Sequence, residues 1–248
     1  MHLSLRPRQT AAVLAVITLL LMAAHVATQY ARLVLGRENL RGLVHMFDLD
    51  RGGNIPAFYS VIVVLFAALC LWLIADHAAR SGRAYARHWK ILAILLAIVA
   101  LHEGTQLHHL FVIRPETQEQ RLTWGPFYFS WTLSYGVAVL VVGLIYLPFI
   151  LHLPRATRYL VLVAGLLYVS GALGMEMVAG LYIAEGGTRD FAFTTMTAVE
   201  EFLEMTGMLV FIYALMDYMA HRHIGLQLGI KPDPQPAPLM EEISSPAA

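Results

Sequence analysis

The sequence has little charge and almost no cysteine. Of its 248 residues only 14% are charged, whereas 58% are hydrophobic, and the formal net charge is +0. Such a composition excludes a water-soluble globule, and the lack of a basic excess argues against a nucleic-acid partner. Cys70 is the single cysteine, which excludes an intrachain disulfide, a CxxC redox pair, a CxxCH haem attachment site and a thiolate zinc site.

Long apolar runs are what the sequence does contain. Because about 20 apolar residues cross the roughly 30 Å hydrocarbon core of a bilayer, the runs predict an all-α fold, a polytopic transmembrane helix bundle. The bundle is one domain, residues 1–222, and residues 223–248 are rich in proline and predict a disordered tail. About six spans are predicted, near 10–35, 56–76, 88–110, 126–150, 156–184 and 191–219.

The distribution of Lys and Arg predicts the orientation of these spans. A dense basic cluster lies at 80–90, in a short loop where the positive-inside rule is strongest. Both termini are therefore predicted to be cytoplasmic, with the first span an uncleaved anchor. In this topology the polar residues of all six spans fall in the outer leaflet, and the inner halves are almost wholly aliphatic.

Five carboxylates lie inside the apolar runs. No Lys or Arg lies near them in the sequence, and ionisable groups are expensive in hydrocarbon, so they mark a functional-site hypothesis. The negative charge of these carboxylates must therefore be balanced by protons, imidazolium or a bound cation. The five are Glu103, Glu176, Glu200, Glu201 and Glu204.

Imidazole and carboxylate ligands together favour a divalent metal, either iron, zinc or manganese. Nearby methionines make copper a further candidate. His102 and His109 share one stripe of the third span, and with Glu176 and Glu204 they are the predicted ligands. If the protein is an enzyme, the predicted catalytic groups, which support the ligands or act as general base, are Glu103, Glu200 and Glu201.

Helix geometry adds two expectations about these acids. Ala172 and Gly180 lie four residues before and after Glu176, which predicts that this side chain faces a closely packed neighbour instead of lipid. Glu201 is predicted on the side that carries Met205 and Met208.

Three other readings of the polar cluster stay open. Protonated glutamates could hydrogen-bond across helices, which would make the protein a non-enzymatic accessory or assembly subunit with a membrane-protein partner or a second copy of itself. A proton or ion pathway fits acid and imidazole chains, although the inner leaflet offers no matching polar half-channel. A b-type haem would need two opposed histidines, His25 with His102 or His109.

The loop after the first span resembles a calcium loop at first sight. It fails the EF-hand pattern because Gly52 takes the fifth ligand position and Tyr59 the twelfth. Turns are expected there instead, and the apolar face that contains Leu43 and Phe47 predicts a segment that lies along the membrane and caps the polar cluster.

Two stretches carry a resemblance to a known group. Phe47-Asp-Leu-Asp with Asn54-Ile-Pro and Tyr59-Ser60, and Glu200-Glu-Phe-Leu-Glu-Met-Thr-Gly207, resemble uncharacterised bacterial multi-pass membrane proteins. The resemblance spans most of the bundle and implies a bacterial cytoplasmic (inner) membrane location. It implies no activity.

Overall fold

The computed structural model describes residues 5–105, 117 and 122–225, without the side chains of His102 and Glu103. Within these residues the chain forms helices and no strands. The helices are α1 (Pro7–Leu33), α2 (Leu43–Met46), α3 (Ile55–Arg80), α4 (Ala86–Thr105), α5 (Trp131–His152), α6 (Arg155–Val169), α7 (Glu176–Ala184) and α8 (Phe191–His221). Short 3₁₀ turns occupy Leu40–Gly42 and Gly125–Phe127, and a π-helical segment, Ser170–Met175, joins α6 to α7.

Several helices begin where local chemistry predicts. Pro7 and Pro56 lie in the first turns of α1 and α3, where a missing N–H costs nothing. The Asn54 side chain caps α3 by accepting a hydrogen bond from the N–H of Ala57 at 3.1 Å. Asp190 caps α8 in the same way, accepting from two backbone N–H groups of its first turn.

Four helical stretches are long and apolar enough to cross a membrane. They are α1, α3, α5 and the continuous stretch Arg155–Ala184 that includes the π-helical segment. These match four of the six predicted spans, so the predicted helix bundle is confirmed at this coarser level. The count of six is not confirmed. α4 and α8 lie where the other two spans were predicted, but α4 is charged near both ends and α8 carries three glutamates within five residues.

Helix α8 lies at the centre of the described bundle. It packs against α1, α3, α6, the π-helical segment and α7, while α3 pairs with α4 in a tight hairpin. Ile212 and Leu215 of α8 are completely buried, as is Leu71 of α3. The central position explains how α8 can carry acids among apolar residues, because much of its surface faces protein. By contrast α5 exposes much of its surface, including Leu140 and Leu144.

The loop between α1 and α3 folds back over the end of α1. Its Asp50 forms an ion pair with Arg189, which precedes α8, at 2.8 Å. Asp48 accepts a hydrogen bond from the N–H of Asp50, the kind of turn predicted for this segment. The predicted tail lies outside the described residues apart from its first three positions, 223–225.

Candidate functional site

A polar cavity of about 220 Å³ lies where α1, the α1–α3 loop and the start of α8 meet. We call it the His25 cavity. Helix α1 contributes three polar side chains at four- and three-residue steps, which places them on one face. The lining residues are His25, Gln29, Arg32, Asp48, Asp50, Arg51, Arg189, Phe193, Thr194 and Thr197.

The His25 ring is held by the loop that covers it. Its Nδ1 atom lies 3.1 Å from the backbone nitrogen of Leu49 and 3.1 Å from the carbonyl oxygen of Phe47. A backbone N–H can only donate, so the neutral ring that accepts from Leu49 carries its proton on Nε2. The carbonyl oxygen of Phe47 can only accept, so a ring that donates to it carries its proton on Nδ1 instead. The loop therefore fixes the orientation of the ring, and its two contacts call for opposite tautomers.

Two buried polar atoms in the cavity wall lack partners. His25 and Gln29 are each only 1% exposed, and among the described residues neither the Nε2 atom of His25 nor the Oε1 atom of Gln29 has a hydrogen-bond partner. An unsatisfied buried polar group costs about 1–3 kcal/mol. Both residues line the cavity, but the two atoms themselves are covered by neighbouring protein atoms, so a bound molecule or water would reach them only if the side chains shift.

The charges around the His25 cavity are unequal. Arg51 pairs with Asp48 at 3.3 Å, and Arg189 pairs with Asp50. Arg32 lines the same cavity but has no carboxylate oxygen within 4.0 Å in the described part of the chain. Three guanidinium groups against two carboxylates leave the cavity with an excess of positive charge.

Burial raises the pKa of Asp50, and the negative charge of Asp48 adds to that effect. The Arg189 guanidinium opposes the shift without cancelling it. Desolvation therefore outweighs the ion pair at this carboxyl group.

A second, much smaller cavity lies further along α8, and we call it the Glu204 cavity. Its volume is about 20 Å³, enough for one water-sized sphere. Glu201, Met205 and Met208 lie together in its wall, as helix geometry predicted. The lining residues are Tyr59, Ser60, Val63, Val64, Tyr168, Glu201, Glu204, Met205 and Met208.

Glycine allows α6 and the π-helical segment to approach α8 closely. A Cβ atom at Gly171 would lie 2.7 Å from the carbonyl oxygen of Glu200 and 2.9 Å from Cγ of Glu204. At Gly207 it would lie 2.8 Å from the backbone nitrogen of Tyr168. Neither position has room for a side chain, so these two glycines set how tightly the Glu204 cavity is enclosed.

Glu176 is held by a residue at the start of α5. The indole N–H of Trp131 donates a hydrogen bond to its carboxylate, and the charges of Asp50 and Arg189 act on it. Glu176 therefore faces protein, as predicted. Gly180 does meet a close neighbour, the backbone of Pro126, at 3.1 Å from a Cβ atom built on the glycine.

The predicted metal ligands are thus only partly located. Glu204 lines the small cavity and Glu176 contacts Trp131, whereas His109 and the side chains of His102 and Glu103 lie outside the described residues. Of the predicted catalytic groups, Glu201 lines the Glu204 cavity and Glu200 contributes backbone beside Gly171. In the ranges described here no group of three or more His, Cys, Asp or Glu is arranged to hold a metal.

Sequence reasoning missed the His25 cavity as a site. His25 was considered only as a possible haem ligand, and Gln29, Arg32, Asp50 and Arg189 had no predicted role. The available signal was the spacing of 25, 29 and 32 on one face of an otherwise apolar helix. The pairing of Asp50 with Arg189 has no local signal, because 139 residues separate them.

No curated protein and no solved structure matches this chain significantly. A family model does match it, over residues 11–219, which include both cavities and every described helix apart from the first few residues of α1 and the last residues of α8. The chain therefore belongs to the family described as a domain of unknown function, DUF8692.

Proposed function

We propose that this chain is an integral membrane protein that binds a divalent metal ion at the Glu204 cavity. One observation carries the proposal: Glu201 and Glu204 both line a cavity that is large enough for a single ion or water and little else. Carboxylate oxygens are ligands for zinc, iron and manganese, and the thioethers of Met205 and Met208 keep copper among the candidates.

The imidazole ligands would be His102, near the end of α4, and His109. A Cβ atom on Gly104 would lie 3.5 Å from the Val61 side chain, so the end of α4 packs beside the turn of α3 that carries Tyr59 and Ser60. Both histidines are candidates because imidazole is a common ligand of these metals. Glu176 is a weaker candidate because Trp131 already binds its carboxylate.

We place the protein in a bacterial cytoplasmic membrane with six spans and both termini in the cytoplasm. The basic cluster at 80–90 supports this orientation. The two helices beyond the four apolar ones, α4 and α8, would then cross the bilayer shielded by their neighbours. If the metal is catalytic, the candidate general bases are Glu103, Glu200 and Glu201.

The metal proposal is tested by elemental analysis of protein purified in detergent without chelator. The Glu204→Gln variant keeps the shape of the side chain but removes its charge, and Glu185→Gln changes an exposed glutamate just after α7 as the matched control. We expect near-stoichiometric zinc, iron, manganese or copper in the unmodified protein and in the control, and a several-fold loss in Glu204→Gln.

Equal metal content in Glu204→Gln would contradict the ligand assignment. If the unmodified protein holds no metal even after incubation with each of these ions, while Glu204→Gln stays as stable as before, a hydrogen-bonded lock between helices explains the acids better. A haem absorption band in the same samples would instead point to His25 with His102 or His109.

A further inference from the structure

We propose that the His25 cavity binds a phosphate group, independently of any metal at the Glu204 cavity. The shape of the cavity is the first argument. Its volume of about 220 Å³ equals about seven water molecules at roughly 30 Å³ each, which is below the range of drug-sized ligand pockets. A compact group such as phosphate fits this volume.

The charge of the cavity is the second argument. The carboxylates of Asp48 and Asp50, which would repel an anion, are each paired with an arginine. Arg32 has no such pair within the described residues, and its charge acts on the His25 ring. A guanidinium group presents a planar fork of donors that matches phosphate oxygens, so Arg32 is the anchor of the proposed site.

The unpaired buried atoms are the third argument. In the tautomer that accepts from Leu49, Nε2 of His25 carries the proton, and a phosphate oxygen would accept it once the ring turns towards the cavity. The Oε1 atom of Gln29 requires a donor, which a protonated phosphate oxygen or the hydroxyl of a phosphate ester provides. Water alone could satisfy both atoms, but water would leave the charge of Arg32 uncompensated. An anion that carries a hydroxyl group would supply a hydrogen-bond partner for each of the two buried atoms and a negative charge beside Arg32.

The phosphate could come from two sources. Arg32 is in the last turn of α1, at the depth where this candidate span meets the lipid headgroups, so a phospholipid headgroup could enter from the side. Asp50 and Arg189 lie in the loops beyond the helices and are partly exposed, so a soluble phosphate ester could enter from the water. Both sources present the same chemistry to Arg32 and His25.

The test uses the full chain, with thermal unfolding as the readout. Arg32→Gln removes the proposed anchor, Arg32→Lys keeps its charge, and Arg37→Gln changes an exposed arginine that follows α1 but does not line the cavity. In detergent the probes are inorganic phosphate and glycerol 3-phosphate. In nanodiscs, phosphatidylglycerol is compared with phosphatidylcholine.

We expect a probe that stabilises the unmodified protein and Arg37→Gln to bind Arg32→Gln at least about tenfold more weakly, since a charge-assisted hydrogen bond is lost. The affinity of Arg32→Lys for the probe should lie between those of the unmodified protein and Arg32→Gln. A response to soluble phosphate assigns the site to a soluble ester, and a response to phosphatidylglycerol alone assigns it to a lipid headgroup. The proposal is overturned if no probe stabilises the protein, or if Arg32→Gln responds like Arg37→Gln.

Because Glu204 does not line the His25 cavity, the metal and phosphate measurements are independent. Loss of metal in Glu204→Gln with phosphate binding unchanged would leave the present proposal intact. Loss of phosphate binding in Arg32→Gln with metal content unchanged would leave the proposed metal site intact.

Discussion

The cavities at the two ends of the bundle are lined by different kinds of side chain. At one end lies the His25 cavity. At the other end a cavity of about 430 Å³ is lined by Tyr85, Trp89, Phe149 and His152, among others, with Arg83 and Arg222. We call this the Trp89 end. In the described residues, the only buried side-chain atoms that lack hydrogen-bond partners are in His25 and Gln29, so both belong to the first end.

The Trp89 end is held by rings that pack against one another. The rings of Trp89 and Phe149 meet edge to face with centroids 4.7 Å apart, and those of Tyr85 and His152 are 4.9 Å apart. The hydroxyl of Tyr146 donates a hydrogen bond to the carbonyl oxygen of His88. Contacts of this kind stabilise the fold. Among the described residues the smaller cavity is lined by both residues whose buried polar atoms lack partners, and the larger cavity is lined by neither.

The largest effect is expected from Gly171→Ala, which forces the π-helical segment away from α8 near the Glu204 cavity. The added Cβ atom meets backbone, which cannot move aside easily, so we expect a loss of about 1–3 kcal/mol in the free energy of unfolding. Gly165→Ala in α6 is the control, because a Cβ atom there meets nothing within 4 Å. Thermal unfolding of both variants in the same detergent would show no difference if the close approach were unimportant.

A smaller effect is expected when a tyrosine hydroxyl is removed beside the Glu204 cavity or at the Trp89 end. Tyr59 donates to the carbonyl oxygen of Leu14 at 2.8 Å and is 3.0 Å from the hydroxyl of Thr18, whereas Tyr146 makes one hydrogen bond at 3.1 Å. With about 1 kcal/mol for each hydrogen bond, Tyr59→Phe should cost about 2 kcal/mol and Tyr146→Phe about 1 kcal/mol. Chemical denaturation of the pair measures this difference, and equal losses would show that the second hydrogen bond of Tyr59 adds nothing to stability.

The smallest effect concerns pH and the loop over the His25 cavity. The pKa of Asp50 is raised in the folded protein, so the folded state holds this proton more tightly than the unfolded chain. Its contribution to stability is present below the ordinary value of 3.8 and is lost as pH rises through the raised folded value. Asp50→Asn should therefore flatten the decline of Tm as pH rises above 3.8.

The matched control for that prediction is Asp76→Asn at the opposite end of α3, where the carboxylate pairs with Arg80 on the surface at 2.9 Å. Exposed ion pairs contribute little, so this variant should keep the pH slope of the unmodified protein. A flattened slope in Asp76→Asn, or an unchanged slope in Asp50→Asn, would show that Asp50 does not cause the decline of Tm with pH.

Composition and periodicity were sufficient to predict the helices. The predicted spans at 56–76 and 156–184 lie within α3 and within Arg155–Ala184, because uninterrupted apolar runs and flanking prolines give strong local signals. The position of Glu201 beside Met205 and Met208 also follows from helix geometry alone. The spans and the position of Glu201 depend only on residues close together in the chain, so a single sequence is enough to predict them.

The arrangement of the site could be predicted only in part. Counting in steps of four from Glu176 assumes a regular α-helix, but the π-helical segment at Ser170–Met175 shifts that register. The close approach of this segment to α8 is at Gly171, which that counting does not single out. The enclosure of His25 depends on tertiary contacts of Leu49 and Phe47, for which the sequence gives no spacing rule.

The ion pair between Asp50 and Arg189 has a consequence for biosynthesis. Because the chain is synthesised from its amino terminus, α1 and the α1–α3 loop exist early, and His25 can bind Leu49 as soon as that loop emerges. Arg189 is made 139 residues after Asp50. The ion pair and the wall that α8 contributes to the cavity therefore form only after the start of the central helix has been made, and a truncated product that stops before Arg189 would lack both.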